Sequence, residues 1–342
     1  MSSGAPLTAN GTGEELPQPG AFRFRMGSRA DLPRCLELLP EGFKAPARVP
    51  LRLIESWERL LAGDARIFSI IEDVDLAHPS NITGFGLSVF VTDDFFSKFC
   101  RAPKPYLSAI FYERLLAGDH VVLTSEELRQ ANSMAGLNVL VLHFGLRNDN
   151  LSDPRTAQVL TVGSASFFFF HSGYRIKAIV NEVFGPQHAH YMELGGFRLM
   201  HDFHRESPGD FDTLPSEQHP YLFMLRKEWV EPGVVHPLSQ MFHASAARLH
   251  FSQFERSVLE GALLIESDKE IAERLGTSLD TVKKTWRNIY LRASRSLPNL
   301  MPNNGPAPNG SRGQEKRRHV LEYVRTHLEE LRPAIVPLSR AR

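Results

Sequence analysis

Lys283, Lys284, Arg287, Arg292 and Arg295 crowd one short stretch, against a single acid, Asp280. The apolar residues of that stretch, Val282, Trp286, Ile289 and Tyr290, recur at helical spacing, which predicts one helix with a buried stripe and a cationic side. Long cationic side chains on a helix of groove-filling width suit phosphates and the acceptor edge of guanine. Just upstream, Ile271, Ala272 and Leu275 predict a shorter helix, with Ser267 or Asp268 as its cap and Gly276 as its left-handed end. Thr277 and Ser278 fill the turn. Ala272 lets the two helices approach, Gly276 makes the corner, and Val282 plugs the angle between them, which is the pattern of a helix-turn-helix.

Other chemistry-bearing residues form weaker patterns. His188, His190, His201 and His204 cluster within HAHYMELGGFRLMHDFH. Residues two apart on a helix do not share a face, and residues three apart on a strand point to opposite sides, so no metal site is expected. Asp93, Asp94, Asp149 and Asp153 sit in turn-like contexts, where aspartate is favoured for backbone hydrogen bonds. No Ser-His-Asp or Cys-His spacing stands out. Cys35 and Cys100 are far apart, match no metal or redox spacing, and read as buried thiols of a reducing cytoplasm. The formal net charge is zero, so any positive field must be local.

These residues need elements to hold them. Residues 1–20 are small, polar and Gly/Pro-rich and read as a disordered tail without signal-peptide character. AFRFRMG, ARIFSIIED, NITGFGLSVFV, LNVLVLHFGLR, YRIKAIVNEVFG, FRLMHDFH and PYLFMLRKEWV predict strands, LNVLVLHFGLR the central one. RADLPRCLELLP, PLRLIESWERLLAG and PQHAHYMELGG predict helices. FSKFC and PYLSAIFYERLLAG predict an inserted helical layer, and TAQVLTVGSASFFFF a buried helix. No run is long enough to span a membrane. The Pro/Gly-bearing residues 231–247 are expected to be a linker, and 298–314, rich in Pro, Asn and Gly, a flexible one. Residues 315–333 predict a terminal amphipathic helix whose Leu321, Val324, Leu328 and Leu331 form a seam for packing on its neighbour or on a second chain.

Residues 248–297 resemble a LuxR-type helix-turn-helix. RLHFSQFERSVLEGALL is similar to that family's leading helix, and DKEIAERLGTSLDTVKKTWRNIYLRAS to its scaffold and recognition helices. The resemblance implies that Thr281, Lys283, Lys284 and Arg287 face double-stranded DNA, with Lys269 and Ser278 near phosphates. Thr285 and Trp286 depart from the family, where many members have His followed by a smaller residue. Sigma factors carry a similar module, but no promoter-melting segment accompanies it.

Residues 21–230 resemble the GNAT (N-acetyltransferase-like) fold, best at RIKAIVNEV followed by HYMELGGFRL, where Gly195 and Gly196 give one residue more than usual. In that family a glycine-bearing loop after the central strand holds the pyrophosphate of acetyl-CoA at a helix N-terminus. Here the corresponding RNDNLSDPRTAQ has no glycine, carries Asp149 and Asp153, and loses a donor at Pro154. Ordinary acetyl-CoA binding is therefore expected to be lost or much altered. Tyr191 matches the family's frequent general acid and is catalytic only if acyl transfer survives.

Together these readings predict an α+β chain: a mixed central sheet flanked by helices, a small all-α helix-turn-helix domain and a terminal helix. The expected function is cytoplasmic, bacterial-type transcription regulation without a cofactor. The expected partners are double-stranded DNA, RNA polymerase or another regulator, a small-molecule effector and a second copy of the chain. The alternative is an acyl-CoA-dependent N-acyltransferase fused to a DNA-binding domain.

Overall fold

A computed structural model of the chain describes residues 21–44, 52–230, 239–242, 245–300 and 311–333. In its large domain the apolar runs fold in the order β1 (Phe22–Met26), α1 (Leu32–Glu37), α2 (Glu41–Lys44), α3 (Leu53–Ala62), β2 (Arg66–Asp73) and β3 (Ile82–Val91). There follow α4 (Asp93–Arg101), α5 (Leu107–Ala117), α6 (Ser125–Ser133), β4 (Leu137–Leu146), α7 (Pro154–His171) and β5 (Ile176–Phe184). The domain closes with α8 (Pro186–Leu194), β6 (Arg198–Asp202), α9 (Phe203–Glu206) and β7 (Pro220–Arg226).

The strands make one seven-stranded sheet in the order β1-β2-β3-β4-β5-β7-β6. The β4–β5 pair is parallel and its neighbours are antiparallel. Val139, Leu140, Ile179 and Val180 are buried, as a central position between covered faces requires. Helices α1 to α5 cover one face, where the Trp57 indole donates to Tyr112 Oη at 2.8 Å. Helix α7 covers the other, and there the Ser88 hydroxyl and His171 Nε2 lie 2.8 Å apart. The expected mixed sheet with flanking helices is therefore present.

The parallel pairing runs from Leu137 opposite Ile176 to Val141 opposite Asn181, and then the two strands part. Beyond that point β4 stays with β3 and β5 with β7. The wedge so opened receives the start of α5. The amides of Tyr106 and Leu107 donate to the Glu182 carboxylate at 2.6 and 2.8 Å, and the Ser108 hydroxyl donates to the Leu142 carbonyl at 2.7 Å.

Helices α10 (Gln253–Leu263), α11 (Asp268–Arg274), α12 (Leu279–Ser296) and α13 (Ser311–Thr326) form a second core around Val258, Ile271, Val282, Ile289, Val320 and Val324. The terminal seam thus packs on its own chain. It is not one helix to Pro333: α13 ends at Thr326, His327 leaves helical geometry, and Leu328 to Leu331 form a 3-10 turn.

That turn and the residues after it join the two domains. Glu330 accepts from the amides of Arg248 and Leu249 at 2.8 and 2.9 Å. Arg332 donates to Glu260 at 3.0 Å, to the Ser172 carbonyl at 2.8 Å and to the Phe169 carbonyl at 2.6 Å, and its guanidinium lies over the Tyr174 ring at 5.0 Å. Gly173, with φ +84°, permits the approach, because a Cβ there would stand 2.4 Å from the Glu329 amide nitrogen.

Several expectations are corrected. Asp93 and Asp94 occupy the first turn of α4, capped by Thr92, not a loop. Helix α7 keeps Thr161, Ser164 and Ala165 in solvent, so it covers the sheet without being wholly buried. Met241 and Phe242, assigned to the linker, are buried in the core of the large domain. Helix α6 was not foreseen. The tail 1–20 and most of the second linker, 301–310, lie outside the described residues.

Candidate functional site

The α11–α12 pair is built by local hydrogen bonds that its sequence prescribes. The Ser267 hydroxyl accepts from the Glu270 amide and the Glu270 carboxylate from the Ser267 amide, closing a capping box at the start of α11. At the other end Gly276 has φ +60°, and the Thr277 amide returns to the Ala272 carbonyl at 2.9 Å. The Ser278 side chain then caps α12 by accepting from the Thr281 amide at 3.1 Å. Ala272 and Val282 are buried where the helices meet.

Helix α12 has an inner and an outer side, the outer carrying Leu279 and Leu291 beside its charges. Val282, Thr285, Trp286, Ile289 and Ala293 are buried, whereas Lys283, Lys284, Arg287 and Arg295 are exposed. Eighteen residues make a rod of about 27 Å, ample for a groove. The two residues that depart from the family pattern belong to the inner side. Thr285 Oγ1 donates to the Thr281 carbonyl at 2.9 Å. The Trp286 indole donates to Asp268 at 3.1 Å, and the Arg317 guanidinium lies 4.5 Å over its ring. Trp286 thereby anchors α11 and α13 to α12.

Of the six residues singled out for DNA, Lys283, Lys284 and Arg287 share the open side of α12, and Thr281, half-buried, lies one turn before Lys284. Thr281 Oγ1 and Ser278 Oγ are 2.9 Å apart, so these hydroxyls serve each other. Lys284 reaches Asp280 at 3.3 Å and Lys269 reaches Glu273 at 3.7 Å, exposed pairs that contribute little to stability. Lys269 stands apart on the first turn of α11. Asn288, exposed and four residues after Lys284, joins the same side, and that spacing was its signal in the sequence.

The second candidate is the acyl-group site. The loop after β4 does open α7, but four of its backbone donors are already used. The amide of Asn150 donates to Asn148 Oδ1, that of Ser152 to Asn150 Oδ1, that of Asp153 to the Asn150 carbonyl, and that of Arg155 to Asp153 Oδ1. Asp153 caps α7 with its own carboxylate, where a pyrophosphate would need bare N–H groups. The wedge between β4 and β5 is occupied by α5. Tyr191 on α8 is 37 % exposed and its hydroxyl lies 3.0 Å from Ser164 Oγ, not beside the wedge residues named above.

The four histidines do not converge. His188 is half-buried, and burial holds its imidazole below the usual range. His190 faces Glu193 at 3.8 Å, His201 faces Glu206 at 2.8 Å, and His204 faces Asp212 at 3.6 Å. Among the described residues no group of three or more metal-capable side chains forms, and no helix is long and apolar enough to cross a membrane.

No family model matches the chain, and no curated protein matches it. Solved structures do align with it. FeeM, an N-acyl amino acid synthase from uncultured soil microbes, is 9 % identical over 60 % of this chain and 89 % of its own, with a TM-score of 0.34. NAA60 of Arabidopsis thaliana, solved with acetyl-CoA, is 14 % identical over 60 % of this chain and 98 % of its own, at 0.32. The spermidine/spermine N-acetyltransferase SpeG of Vibrio cholerae, in mutant form, is 11 % identical over 61 % and 95 %, at 0.32. The likeness is to the mixed sheet with its flanking helices, in outline.

Proposed function

We propose that the chain is a sequence-specific DNA-binding transcriptional regulator that lays α12 in the major groove. Its acetyltransferase-like large domain serves regulation, not catalysis. The observation that carries this reading is the division of α12, with Lys283, Lys284 and Arg287 all in solvent and Val282, Trp286 and Ile289 turned inward. Lys269 and Ser278, near the two helix starts, would meet phosphates. The test is duplex binding by the native chain and by a Lys283→Ala/Lys284→Ala variant. A lysine that reads a base contributes about 1–3 kcal/mol and its loss relaxes specificity, whereas one that touches phosphate weakens every sequence alike and flattens the salt dependence. Unchanged binding in the double variant refutes the assignment.

The second reading, acyl-CoA-dependent N-acyl transfer, is the one whose fold the aligned structures share. Tyr191 would be its acid. Against it stand the self-bonded 148–155 loop and the filled wedge. Titration with acetyl-CoA decides: micromolar binding favours acyl transfer, and no binding leaves the large domain as a sensing or pairing module. Pairing of two copies through that domain would present two α12 helices to half-sites about one DNA turn apart.

A further inference from the structure

Asn288 stands in the middle of α12 without a structural duty. It is the one carboxamide of that helix, it is exposed, and its side chain makes no hydrogen bond among the described residues. Asparagine forms helices less readily than alanine, because its side chain competes for backbone hydrogen bonds. Here it neither packs into the core nor bonds the backbone. A residue that breaks a local preference without a compensating contact marks a functional position. The other polar groups of the outer side are engaged or of one kind. Asp280 pairs with Lys284, the Ser278 and Thr281 hydroxyls face each other, and the Ser294 hydroxyl donates to the Leu291 carbonyl at 3.0 Å. Lys283, Arg287 and Arg295 are donors only. Asn288 alone on this side, among the described residues, offers an unused donor and an unused acceptor in one plane.

In the major groove an adenine presents the matching pair, its N7 acceptor beside its N6 amino donor, and a carboxamide meets both at once. Guanine presents two acceptors there, which suit lysine and arginine. Side chains at i, i+3, i+4 and i+7 share one helix face, a spacing that groove-reading helices use. Lys284, Arg287, Asn288 and Leu291 stand at that spacing and all four are exposed. With α12 as the groove helix proposed above, we infer that Asn288 fixes an adenine in the recognised sequence. Its amide oxygen accepts from N6 and its amide nitrogen donates to N7. Lys284 lies about 6 Å back along the helix, so the two side chains meet different base pairs. Asn288 thereby supplies a base preference that the cationic residues of this side cannot, since a donor-only group has nothing to offer the N6 amino group.

The probe is a pool of duplexes with a randomised central stretch, bound by the full chain, native and Asn288→Ala, with the recovered sequences compared position by position. The native chain is expected to enrich adenine at one position of the selected sequence, and Asn288→Ala to lose that preference while keeping the others. On the duplex that the native chain selects, Asn288→Ala should bind about tenfold more weakly, with an unchanged salt dependence because no charge is removed. Alanine is the better helix former, so the variant should melt no lower than native. Placing 7-deazaadenine at that position removes the N7 acceptor. It should weaken binding by the native chain several-fold and leave binding by Asn288→Ala unchanged. An adenine preference that survives in Asn288→Ala, or a loss of affinity equal on every sequence, overturns the inference. Selection that depends on Lys283 and Lys284 but not on Asn288 overturns it alone and leaves α12 in the groove, whereas a native chain that enriches no sequence overturns both.

Discussion

Replacing Arg332 by Ala should loosen both domains at once. Arg332 is 3 % exposed and Glu260 15 % at the side chain, so their 3.0 Å pair is nearly out of water. The same guanidinium satisfies the carbonyls of Phe169 and Ser172 at the end of α7. Removing one partner of a buried pair costs about 3–5 kcal/mol, because the other is left charged and uncompensated. Here the lower end applies, since Arg256, Arg274 and Arg66 still lie within reach of Glu260. A loss of about 3 kcal/mol lowers the melting temperature by roughly 6–12 °C at this domain size. Glu260→Gln should cost less, and the double variant should fall short of the sum by about 1–2 kcal/mol, since the two side chains share one interaction. Calorimetric melting of the four proteins checks this. An Arg332→Ala variant that melts within a degree of native, or costs that simply add, would refute the view that this pair fastens the helical unit to the sheet.

His143 is enclosed by Phe43, Trp57, Phe85 and Tyr112, its Nε2 has no partner among the described residues, and burial pushes its imidazole down to about 3. Its folded value is below its unfolded one, so it leaves stability untouched at neutral pH. As pH falls below about 6.5, it costs about 1.4 kcal/mol per pH unit. His171, also held at about 3 by burial, adds an equal slope. His143→Phe should therefore match native stability at pH 7 or exceed it, and roughly halve this histidine-borne loss between pH 6 and 4, as urea melts will show. Ile265, at φ +66° and 90 % exposed, ends α10 in the same hydrogen-bonded motif that Gly276 gives α11. Ile265→Gly should raise stability by about 1 kcal/mol in thermal melts, and an unchanged melt would count against strain there. A Cβ added at Gly276 meets no atom within 4 Å, so Gly276→Ala should cost only the backbone conformation, about 1–2 kcal/mol, and Gly276→Val nearly the same. A much larger effect of valine would place a neighbour where none is seen.

The strands and most helices were legible because each is written in a local period. LNVLVLHFGLR is nearly continuous in Val and Leu and is the central strand, and FRFRM alternates and lies at the edge. The turn of the α11–α12 pair was legible for the same reason, since Ser267, Gly276 and Ser278 act on residues two to five away. Helix α6 also carries a local signal, the Thr124–Glu127 capping box. What could not be read is non-local. Nothing near Glu182 announces that it receives the amides of Tyr106 and Leu107, and nothing near Glu330 announces Arg248 and Leu249. The spacing of Trp286 put it on the buried stripe, but nothing near it announced the Arg317 guanidinium that covers its ring from far along the chain.

The late position of Val320, Val324 and Leu331 in the helical core bears on how the chain is made. A ribosome that has emitted everything through Ser296 has supplied α10, α11 and α12, yet not the side chains that close over them, nor the Glu330 carboxylate that receives the amides ahead of α10. The sheet, complete at Arg226, has time to fold while the helices behind it wait with apolar faces uncovered. Assembly of the helical unit is thus deferred in synthesis. A fragment cut at residue 300 reproduces the nascent intermediate, not the finished domain.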